Sequence, residues 1–316
     1  MKILVADKMA KTSLEALENL GAQITFNPDL GADDLPSAIG DHEILIVRST
    51  KVQAPTLDEA TNLKVIIRAG AGTNTIDVDK AASKNIYVCN CPGTNSDAVA
   101  ELAIGHLIAA DRRIVFANTD MRDSKWRKKE YQNSRGLKGR TLGIIGVGAI
   151  GKSVIKRAKG LEMNVIAWSR SLTPEKAKEL GVVFCQTPYE VASQADAISL
   201  HVAVKPETKH MVNEEFLGKM KDGAILVNCA RGEVIDTVAL KAAINSKGLR
   251  VGLDVFENEP TGGEDVFNDT ELANMAVCTP HIGASTDQAA DAVGTEVIRI
   301  VATFKETGKP VNSVNI

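Results

Sequence analysis

Residues Arg140 to Ser171 decide the fold of this chain, and they read RTLGIIGVGAIGKSVIKRAKGLEMNVIAWSRS. The apolar run Leu142–Ile145 predicts a buried strand, and the amphipathic run after it predicts a helix that ends near Gly160. A second apolar run, Val165–Trp168, predicts another strand. A strand, a turn, a helix and a strand within roughly thirty residues form the βαβ unit that binds dinucleotides in many proteins.

The turn of this unit carries three glycines in G-x-G-x-x-G spacing, at Gly146, Gly148 and Gly151. We expect them to permit a tight turn, the approach of a pyrophosphate to the backbone, and close packing of helix on strand. A helix start also presents unpaired N–H groups and partial positive charge, which suit an anion. An ordinary glycine turn is the alternative, but the flanking strands and helix favour a dinucleotide site that includes Ala149 and Ile150.

The end of the second strand bears on the choice between NAD and NADP. An acidic residue about twenty residues after the glycines usually binds the adenosine ribose hydroxyls, but Ser169 and Arg170 stand here. A serine does not repel a 2′-phosphate as a carboxylate would, and an arginine can pair with one. We therefore expect NADP to be accepted, and a solvated Arg170 with NAD as cofactor is the alternative.

Length, composition and charge narrow the class of protein. The 316 residues suggest two domains, and the 44% hydrophobic residues supply a core that is mainly aliphatic. A net charge of −3 gives no reason to expect nucleic acid or an anionic membrane as a partner. No apolar run approaches the roughly 18 residues of a membrane span and no leader precedes the first strand, so we expect a cytoplasmic protein.

The five cysteines lack the spacing of a metal site or of a disulfide framework. They lie in or beside apolar strands, and Cys89 and Cys91 are too close to form half of a zinc site without a second pair. Reduced thiols are typical of the cytosol. The sequence therefore predicts free cysteines and no bound metal.

Strand and helix patterns alternate on both sides of the glycine turn. Such alternation predicts parallel sheets with helices on both faces and with ligands beyond the carboxyl ends of the strands. Because the dinucleotide unit lies mid-chain, we expect one domain to be inserted into the other, with residues 1–97 and 286–316 binding substrate and residues 98–285 binding the dinucleotide. A long apolar helix near 98–110 joins them, and His106 within it is expected to be a packed core residue.

Three further stretches each place a titratable residue just after an apolar strand: NCARG at 228–232, LDVFENEP at 253–260 and TPHIGA at 279–284. Hydride transfer between an alcohol and a nicotinamide needs a base, and histidine suits that role near neutral pH. A carboxylate orients and stabilises the imidazole, and a guanidinium fixes a substrate carboxylate. His281, Glu259 and Arg231 are the candidates, although each alone also fits a solvated loop or a capped turn.

These stretches, together with GVGAIG, resemble the D-2-hydroxyacid dehydrogenase family over essentially the whole chain. The resemblance implies an α/β fold of two doubly wound parallel-sheet domains, in which a Rossmann-type nucleotide-binding domain is inserted into a flavodoxin-like substrate domain. It implies Arg231, Glu259 and His281 as catalytic residues, Asp254 as an acid near the nicotinamide amide, and a homodimer joined through residues 97–135. Besides the glycine turn, the expected cofactor contacts are Ser169, Arg170, His201, Val202, Cys229, Ala230, Arg231, Asp254, His281, Gly283 and Ala284.

The first domain resembles the phosphoglycerate dehydrogenase branch of that family, through Arg48-Ser49 and Arg68-Ala69-Gly70. A phosphorylated, doubly anionic substrate needs positive charge, which Arg48 offers. The expected reaction is oxidation of 3-phosphoglycerate to 3-phosphohydroxypyruvate, a step of serine biosynthesis. The expected substrate contacts are Arg48, Ser49, Arg68, Ala69, Gly70, Arg231 and His281.

Two alternatives to that reaction stay open. Ser169 and Arg170 favour a glyoxylate or hydroxypyruvate reductase that uses NADPH. A cofactor-sensing protein like the corepressors built on this fold is the other alternative, because it would keep the same three catalytic residues.

The chain ends soon after its last helix. We therefore expect no feedback by serine through a carboxy-terminal regulatory domain.

Overall fold

The computed structural model describes residues 1–260 and 266–316. The chain divides into two compact units, Met1–Asn95 with Ala284–Ile316, and Ser96–Gly283. Each unit has its own sheet and its own hydrophobic core. The predicted domain boundaries lie two residues further along the chain at both junctions, at 97 rather than 95 and at 285 rather than 283. The binding roles of the two domains stay predictions.

The first unit is built around a five-stranded sheet in which all neighbouring strands are parallel. Its strands are β1 (Lys2–Val5), β2 (Gln23–Phe26), β3 (Ile44–Val47), β4 (Val65–Arg68) and β5 (Tyr87–Cys89). Its first helices are α1 (Lys11–Asn19), α2 (Leu35–Ala38), α3 (Ala54–Glu59) and α4 (Val78–Ser83). The strand order β2-β1-β3-β4-β5 is flavodoxin-like, which confirms the predicted sheet.

The second unit is built around a seven-stranded sheet that is also parallel throughout. Its strands are β6 (Thr141–Ile145), β7 (Asn164–Trp168), β8 (Val183–Phe184), β9 (Ala197–Leu200), β10 (Ile225–Asn228), β11 (Arg250–Leu253) and β12 (Val277–Cys278). The order β12-β11-β10-β9-β6-β7-β8 is the Rossmann order with one added edge strand. The predicted Rossmann-type unit is confirmed.

Helices cover this second sheet and connect its strands. They are α5 (Ser96–Arg112), α6 (Ile114–Arg122), α7 (Ala149–Gly160), α8 (Pro174–Glu179), α9 (Pro188–Gln194), α10 (Glu214–Lys219), α11 (Thr237–Lys247) and α12 (Thr270–Met275). The chain then returns to the first unit through α13 (Asp287–Thr307). Within residues 1–260 and 266–316, no helix combines the length and the apolar character that crossing a membrane requires.

Strand β3 illustrates why the sheets are apolar on both faces. Its four residues are all buried, because successive side chains point to opposite faces and helices cover both. Ile44 and Ile46 join one core cluster, which contains Val297 and Ile300 of α13, whereas Leu45 and Val47 join the other. The C-terminal helix therefore closes one face of the first sheet.

Candidate active site

The glycine turn between β6 and α7 has the packing that its spacing predicts. Gly146 has φ +99°, and a Cβ there would lie 2.3 Å from the carbonyl oxygen of His201, beyond β9. A Cβ at Gly151 would lie 2.1 Å from the carbonyl oxygen of Gly146. A Cβ at Gly148, by contrast, would meet no described atom within 4 Å. Two glycines therefore serve close packing, and Gly148 leaves an open surface at the start of α7.

The first turn of α7 fits an anion. Gly148 occupies the N-cap without a side-chain hydrogen bond, and the first turn contains no acidic residue. The backbone N–H groups of the first helical turn have no intrahelical partner, and the helix dipole adds partial positive charge. Ala149, Ile150 and Gly151 can therefore hold the pyrophosphate of a dinucleotide.

The end of β9 presents a neutral imidazole beside this turn. Burial lowers the pKa of His201 to about 4, so the ring is uncharged near neutral pH. Its Nε2 lies 2.8 Å from Ser199 Oγ, and its Nδ1 is buried without a partner among the described residues. The neighbouring Val202 is half-buried. A polar ligand would complete the hydrogen bonding of Nδ1.

The residues that bear on NAD or NADP lie at the end of β7. Ser169 is half-buried, and Arg170 is exposed with its Nη1 3.4 Å from Glu207 Oε1. Because both partners are more than half exposed, this ion pair is weak and Arg170 can exchange it for another anion. A cavity of about 250 Å³ adjoins Ser171, and its lining includes Lys152 and Lys176.

The side chain of Asn228 shapes the turn that carries Arg231. Asn228 ends β10 and is fully buried. Its Oδ1 accepts the N–H of Ala230 at 3.0 Å, and its Nδ2 donates to the carbonyl oxygen of Arg231 at 2.9 Å. The turn through Cys229 and Ala230, both buried, is thereby fixed from inside the sheet.

The turns that carry Arg231 and Glu259 are in direct backbone contact. A Cβ at Gly232 would lie 1.9 Å from the carbonyl carbon and oxygen of Phe256, so only glycine fits there. The positive charge of Arg231 also contributes to the lowered pKa of Glu259 and opposes protonation of His281. The guanidinium therefore lies within electrostatic reach of both residues.

His281 and Glu259 form a hydrogen-bonded pair, with Nδ1 and Oε2 2.7 Å apart. The other oxygen of Glu259 accepts the N–H of Phe256 at 2.9 Å. Burial opposes the charge of Glu259, but the bonds from His281 and Phe256 and the nearby positive charges hold its pKa below the ordinary value. The hydrogen bond to Glu259 raises the pKa of His281, against desolvation.

The tautomer of His281 follows from this pairing. An ionised carboxylate only accepts hydrogen bonds, so Nδ1 of His281 carries a proton that it donates to Glu259. Nε2 is then the atom that gains or loses a proton at neutral pH. The imidazole side chain is half exposed, which leaves it accessible to a small molecule.

Asp254 anchors the turn that presents His281. Its Oδ1 accepts the Thr279 hydroxyl at 2.6 Å and the Ile282 N–H at 2.9 Å, and its Oδ2 accepts the Gly283 N–H at 2.8 Å. Asp254 is 1% exposed, so the desolvated carboxylate depends on these bonds. They hold His281 in the left-handed region, at φ +50°.

His106 extends this network into α5. Its Nε2 lies 2.9 Å from the Thr279 hydroxyl oxygen. Because that hydroxyl donates to Asp254, it accepts from His106, which fixes the proton on Nε2. Burial lowers the pKa of His106, which favours the neutral form of its ring. The core position expected for His106 is observed, but sequence reasoning missed its link to Asp254, for which Thr279 two residues before His281 was the available signal.

The predicted substrate residues Arg48 and Ser49 lie in the first unit, on a loop shaped by Asp7. One oxygen of Asp7 accepts the backbone N–H groups of Arg48, Ser49 and Thr50 at 2.6, 3.1 and 3.1 Å. The other oxygen accepts the Ser49 hydroxyl at 3.1 Å. The N–H groups of residues 48–50 and the Ser49 hydroxyl thus have partners in Asp7, whereas the Arg48 side chain is exposed and accessible to a ligand.

The second predicted substrate stretch, 68–70, follows β4. Gly70 has φ +158°, and a Cβ there would lie 1.7 Å from Nη1 of Arg68, so glycine allows the guanidinium to fold over its own turn. Ala69 is buried and donates its N–H to the carbonyl oxygen of Val47 at 2.7 Å.

The predicted site residues are divided between the two units. Ala284, a predicted cofactor contact, belongs to the first unit, whereas the remaining cofactor and catalytic candidates belong to the second.

Comparisons with known proteins agree with this architecture. The sequence model described as D-isomer specific 2-hydroxyacid dehydrogenase, NAD binding domain, matches residues 104–283. The chain is 39% identical over 321 residues to a D-3-phosphoglycerate dehydrogenase of Methanocaldococcus jannaschii, which covers 100% of this chain but 60% of that relative. It is 40% identical over 309 residues to a hydroxypyruvate reductase of Thermotoga maritima, covering 97% of this chain and 98% of the relative.

A solved structure has the same fold over the whole chain. The NAD⁺-bound 3-phosphoglycerate dehydrogenase of Entamoeba histolytica superposes with a TM-score of 0.82 at 29% identity, over 100% of this chain and 99% of that one. Two parallel sheets and a glycine turn at a Rossmann-type helix define the class of two-domain dinucleotide-binding α/β proteins. Within it, the chain belongs to the D-isomer specific 2-hydroxyacid dehydrogenase family and carries that family's NAD-binding domain, as predicted.

Proposed function

We propose that this protein transfers hydride between a D-2-hydroxy acid and the nicotinamide of NAD or NADP. The observation that carries the proposal is the 2.7 Å pair of His281 and Glu259, formed in the same unit as the glycine turn and with Arg231 in electrostatic reach. When bound, the dinucleotide supplies the carbon that accepts or returns the hydride. The residues of this chain supply the proton chemistry and the electrostatic positioning.

His281 is the proposed acid and base. Nε2 in its neutral form takes the hydroxyl proton when the hydroxy acid is oxidised, and the imidazolium returns it when the keto acid is reduced. Glu259 accepts from Nδ1 and stabilises the imidazolium that forms during oxidation. The hydrogen bond to Glu259, which raises the pKa of His281, favours the protonated ring and so supports the reductive direction as well.

Arg231 is the proposed substrate anchor. A guanidinium binds a carboxylate through two parallel hydrogen bonds, and it also polarises an adjacent carbonyl group. In the structure its Nη1 donates to the carbonyl oxygen of Ala230 at 2.6 Å, and the guanidinium has further donors for a ligand. The Asn228 bonds hold the backbone of this residue, so the side chain starts from a fixed point.

We infer 3-phosphoglycerate as the substrate, with 3-phosphohydroxypyruvate as product in serine biosynthesis. The support is the exposed arginine on the Asp7 loop, together with the similarity to phosphoglycerate dehydrogenases over the whole chain. A hydroxypyruvate or glyoxylate reductase is the second candidate, favoured by the full-length match to the Thermotoga relative and by Ser169 and Arg170. NADPH would be its cofactor.

One assay separates these candidates. The absorbance of the reduced nicotinamide is followed with 3-phosphoglycerate and NAD⁺ or NADP⁺, and with hydroxypyruvate or glyoxylate and NADH or NADPH. His281→Asn is the control for each activity, because it removes the proposed proton carrier. Turnover that this substitution leaves undiminished would contradict the proposed role of His281. No turnover with any of these compounds would contradict the proposed function and favour a cofactor-sensing role.

We also propose that the protein is a homodimer joined through α6 and the residues after it. No residue of α6 is buried, and Ile114, Met121 and Trp126 are 48%, 54% and 78% exposed. Apolar groups exposed together are typical of protein contacts, and this segment matches the subunit contact expected from the family resemblance. Light scattering should give a dimer mass that Trp126→Glu lowers and that Val183→Glu, which introduces the same charge at a 60% exposed residue of β8, does not.

The cysteines support a reducing location, for which we propose the cytoplasm. All five thiols are free, and four of them are buried. Burial raises the pKa of Cys89 and of Cys91 to about 12, so neither is an ionised nucleophile near neutral pH.

Within residues 1–260 and 266–316, no cluster of three or more metal-binding side chains occurs.

A further inference from the structure

A second histidine–glutamate pair lies next to the first. His210 Nε2 and Glu257 Oε1 are 2.5 Å apart, in the loop after β9 and the loop after β11 respectively. Their side chains are 40% and 24% exposed. Glu257 is only two residues before Glu259, yet the proton chemistry proposed above assigns it no role.

The carboxylate of Glu257 joins three segments of the second unit. Its second oxygen, Oε2, accepts the N–H of Thr237, the first residue of α11, at 3.1 Å. That helix follows directly on the turn that begins at Arg231. The backbone N–H of His210 donates to the carbonyl oxygen of Glu233 in the same turn, at 2.8 Å. The Glu257 side chain thus links the His210 loop and the start of α11 to its own loop, and the backbone of His210 links the same loop to the Arg231 turn.

A short path leads from this carboxylate to His281. The peptide between Phe256 and Glu257 lies against Gly232, and the N–H of Phe256 bonds to Glu259, which bonds to His281. Fixing Glu257 therefore fixes the peptide between Phe256 and Glu257. It thereby also fixes Phe256, whose N–H holds the carboxylate of Glu259. Burial opposes its charge, but the Thr237 N–H and His210 hold the pKa of Glu257 below the ordinary value, so both of its oxygens accept near neutral pH.

We propose that Glu257, held by His210 and by the start of α11, is a positioning residue that keeps Glu259 hydrogen-bonded to His281. Its kinetic consequence rests on the function proposed above, but its structural consequence does not. The ring of Phe256 also packs on Phe267, with centroids 4.7 Å apart, so the loop has a second anchor. Loss of the Glu257 carboxylate should therefore loosen the alignment of Glu259 without unfolding the loop.

The test is the pKa of His281 in the ligand-free protein, measured by NMR on ¹³C-labelled histidine. The chain has five histidines, and the signal of His281 is assigned as the one absent from His281→Asn. The charged groups that act on His281 are Glu259, Asp254 and Arg231, and all three are retained in the variants. Glu257→Ala should lower the pKa of His281 toward its ordinary value, because the bond from Glu259 becomes loose.

Two variants separate positioning from a direct effect of charge. Glu257→Gln removes the charge, but its amide oxygen still accepts the Thr237 N–H and its NH2 group can donate to Nε2 of the Nδ1-protonated tautomer of His210. It should therefore leave the pKa of His281 near that of the wild type. An equal fall in Glu257→Ala and Glu257→Gln would mean a simple charge effect and would overturn the proposal. His210→Asn, which removes one of the two partners, should give a smaller fall than Glu257→Ala.

The matched control is Glu190→Ala, which removes another half-buried glutamate that accepts a backbone N–H, from Gln186 at 2.7 Å, at the start of α9. This variant should leave the titration of His281 unchanged. If Glu257→Ala behaves like this control while folded, the positioning role is wrong. If Glu257→Ala fails to fold, the comparison of His210→Asn with Glu190→Ala decides.

Kinetics provide an independent measurement. With a substrate that the wild type turns over, Glu257→Ala should lower kcat by up to about tenfold, no more than Glu259→Gln, because it acts only through the bond between Glu259 and His281. KM should change much less, because Arg231 keeps its turn through Asn228. If the wild type turns over no hydroxy acid, the proposed function fails, but the titration of His281 still tests the positioning.

Discussion

Glu259→Gln tests the proposed proton chemistry most directly. The substitution conserves size but removes the charge that stabilises the imidazolium of His281. It also leaves a single oxygen acceptor where two are used, because Oε2 binds His281 and Oε1 binds the Phe256 N–H. One of the two hydrogen bonds is therefore lost as well as the charge.

The magnitude follows from the geometry of the pair. A hydrogen bond to a charged group contributes about 1.5–3 kcal/mol when it is shielded from solvent. The side chains of His281 and Glu259 are 50% and 28% exposed, and solvent screening reduces the contribution to about 1–1.5 kcal/mol. Since about 1.4 kcal/mol corresponds to a factor of ten in rate, kcat/KM should fall about tenfold. His281→Asn should cost more, about a hundredfold to ten-thousandfold.

The pH–rate profiles should shift in a defined direction when the Glu259 charge is removed. Oxidation needs neutral His281, so its rate rises as pH passes through the raised pKa of that residue, whereas reduction needs the imidazolium and declines there. Without the Glu259 charge the pKa falls, so both limbs should move to lower pH in the glutamine variant. The assay is kcat/KM against pH in both directions, for wild type and variant. Superimposable profiles would refute the assignment of His281 and Glu259 as a working pair.

Three further predictions address the cofactor, the substrate and the His281 turn. Gly151→Val should weaken NAD and NADP binding by at least tenfold, measured by calorimetry, because even a Cβ would lie 2.1 Å from the Gly146 carbonyl; unchanged binding would exclude the glycine turn. Arg48→Ala should raise KM for 3-phosphoglycerate much more than KM for hydroxypyruvate, and equal effects would remove the phosphate contact. Asp254→Asn should lower the melting temperature by several degrees, since the amide can accept fewer of the bonds that Asp254 receives from Thr279, Ile282 and Gly283; an unchanged melting temperature would contradict the anchoring role.

Much of the fold could be read along the chain, because parallel strands covered on both faces appear as continuous apolar runs. The runs Leu142–Ile145 and Val165–Trp168 have this character, and the structure has strands β6 and β7 there. Edge strand β2 carries no such signal, because its residues QITF are mostly exposed. Helix α6 gives no amphipathic signal for a related reason, since none of its residues is buried in the chain itself.

The sequence by itself determined the family, the two parallel sheets and the glycine turn, because close neighbours along the chain create those patterns. It also nominated Arg231, Glu259 and His281, whose catalytic roles stay predictions. Only the tertiary structure decided which groups hold them. His106 meets Thr279 across 173 positions of sequence, and His210 meets Glu257 across 47. Such partners are brought together by the order of strands in the sheet, and no local pattern records which distant side chain will complete a hydrogen bond.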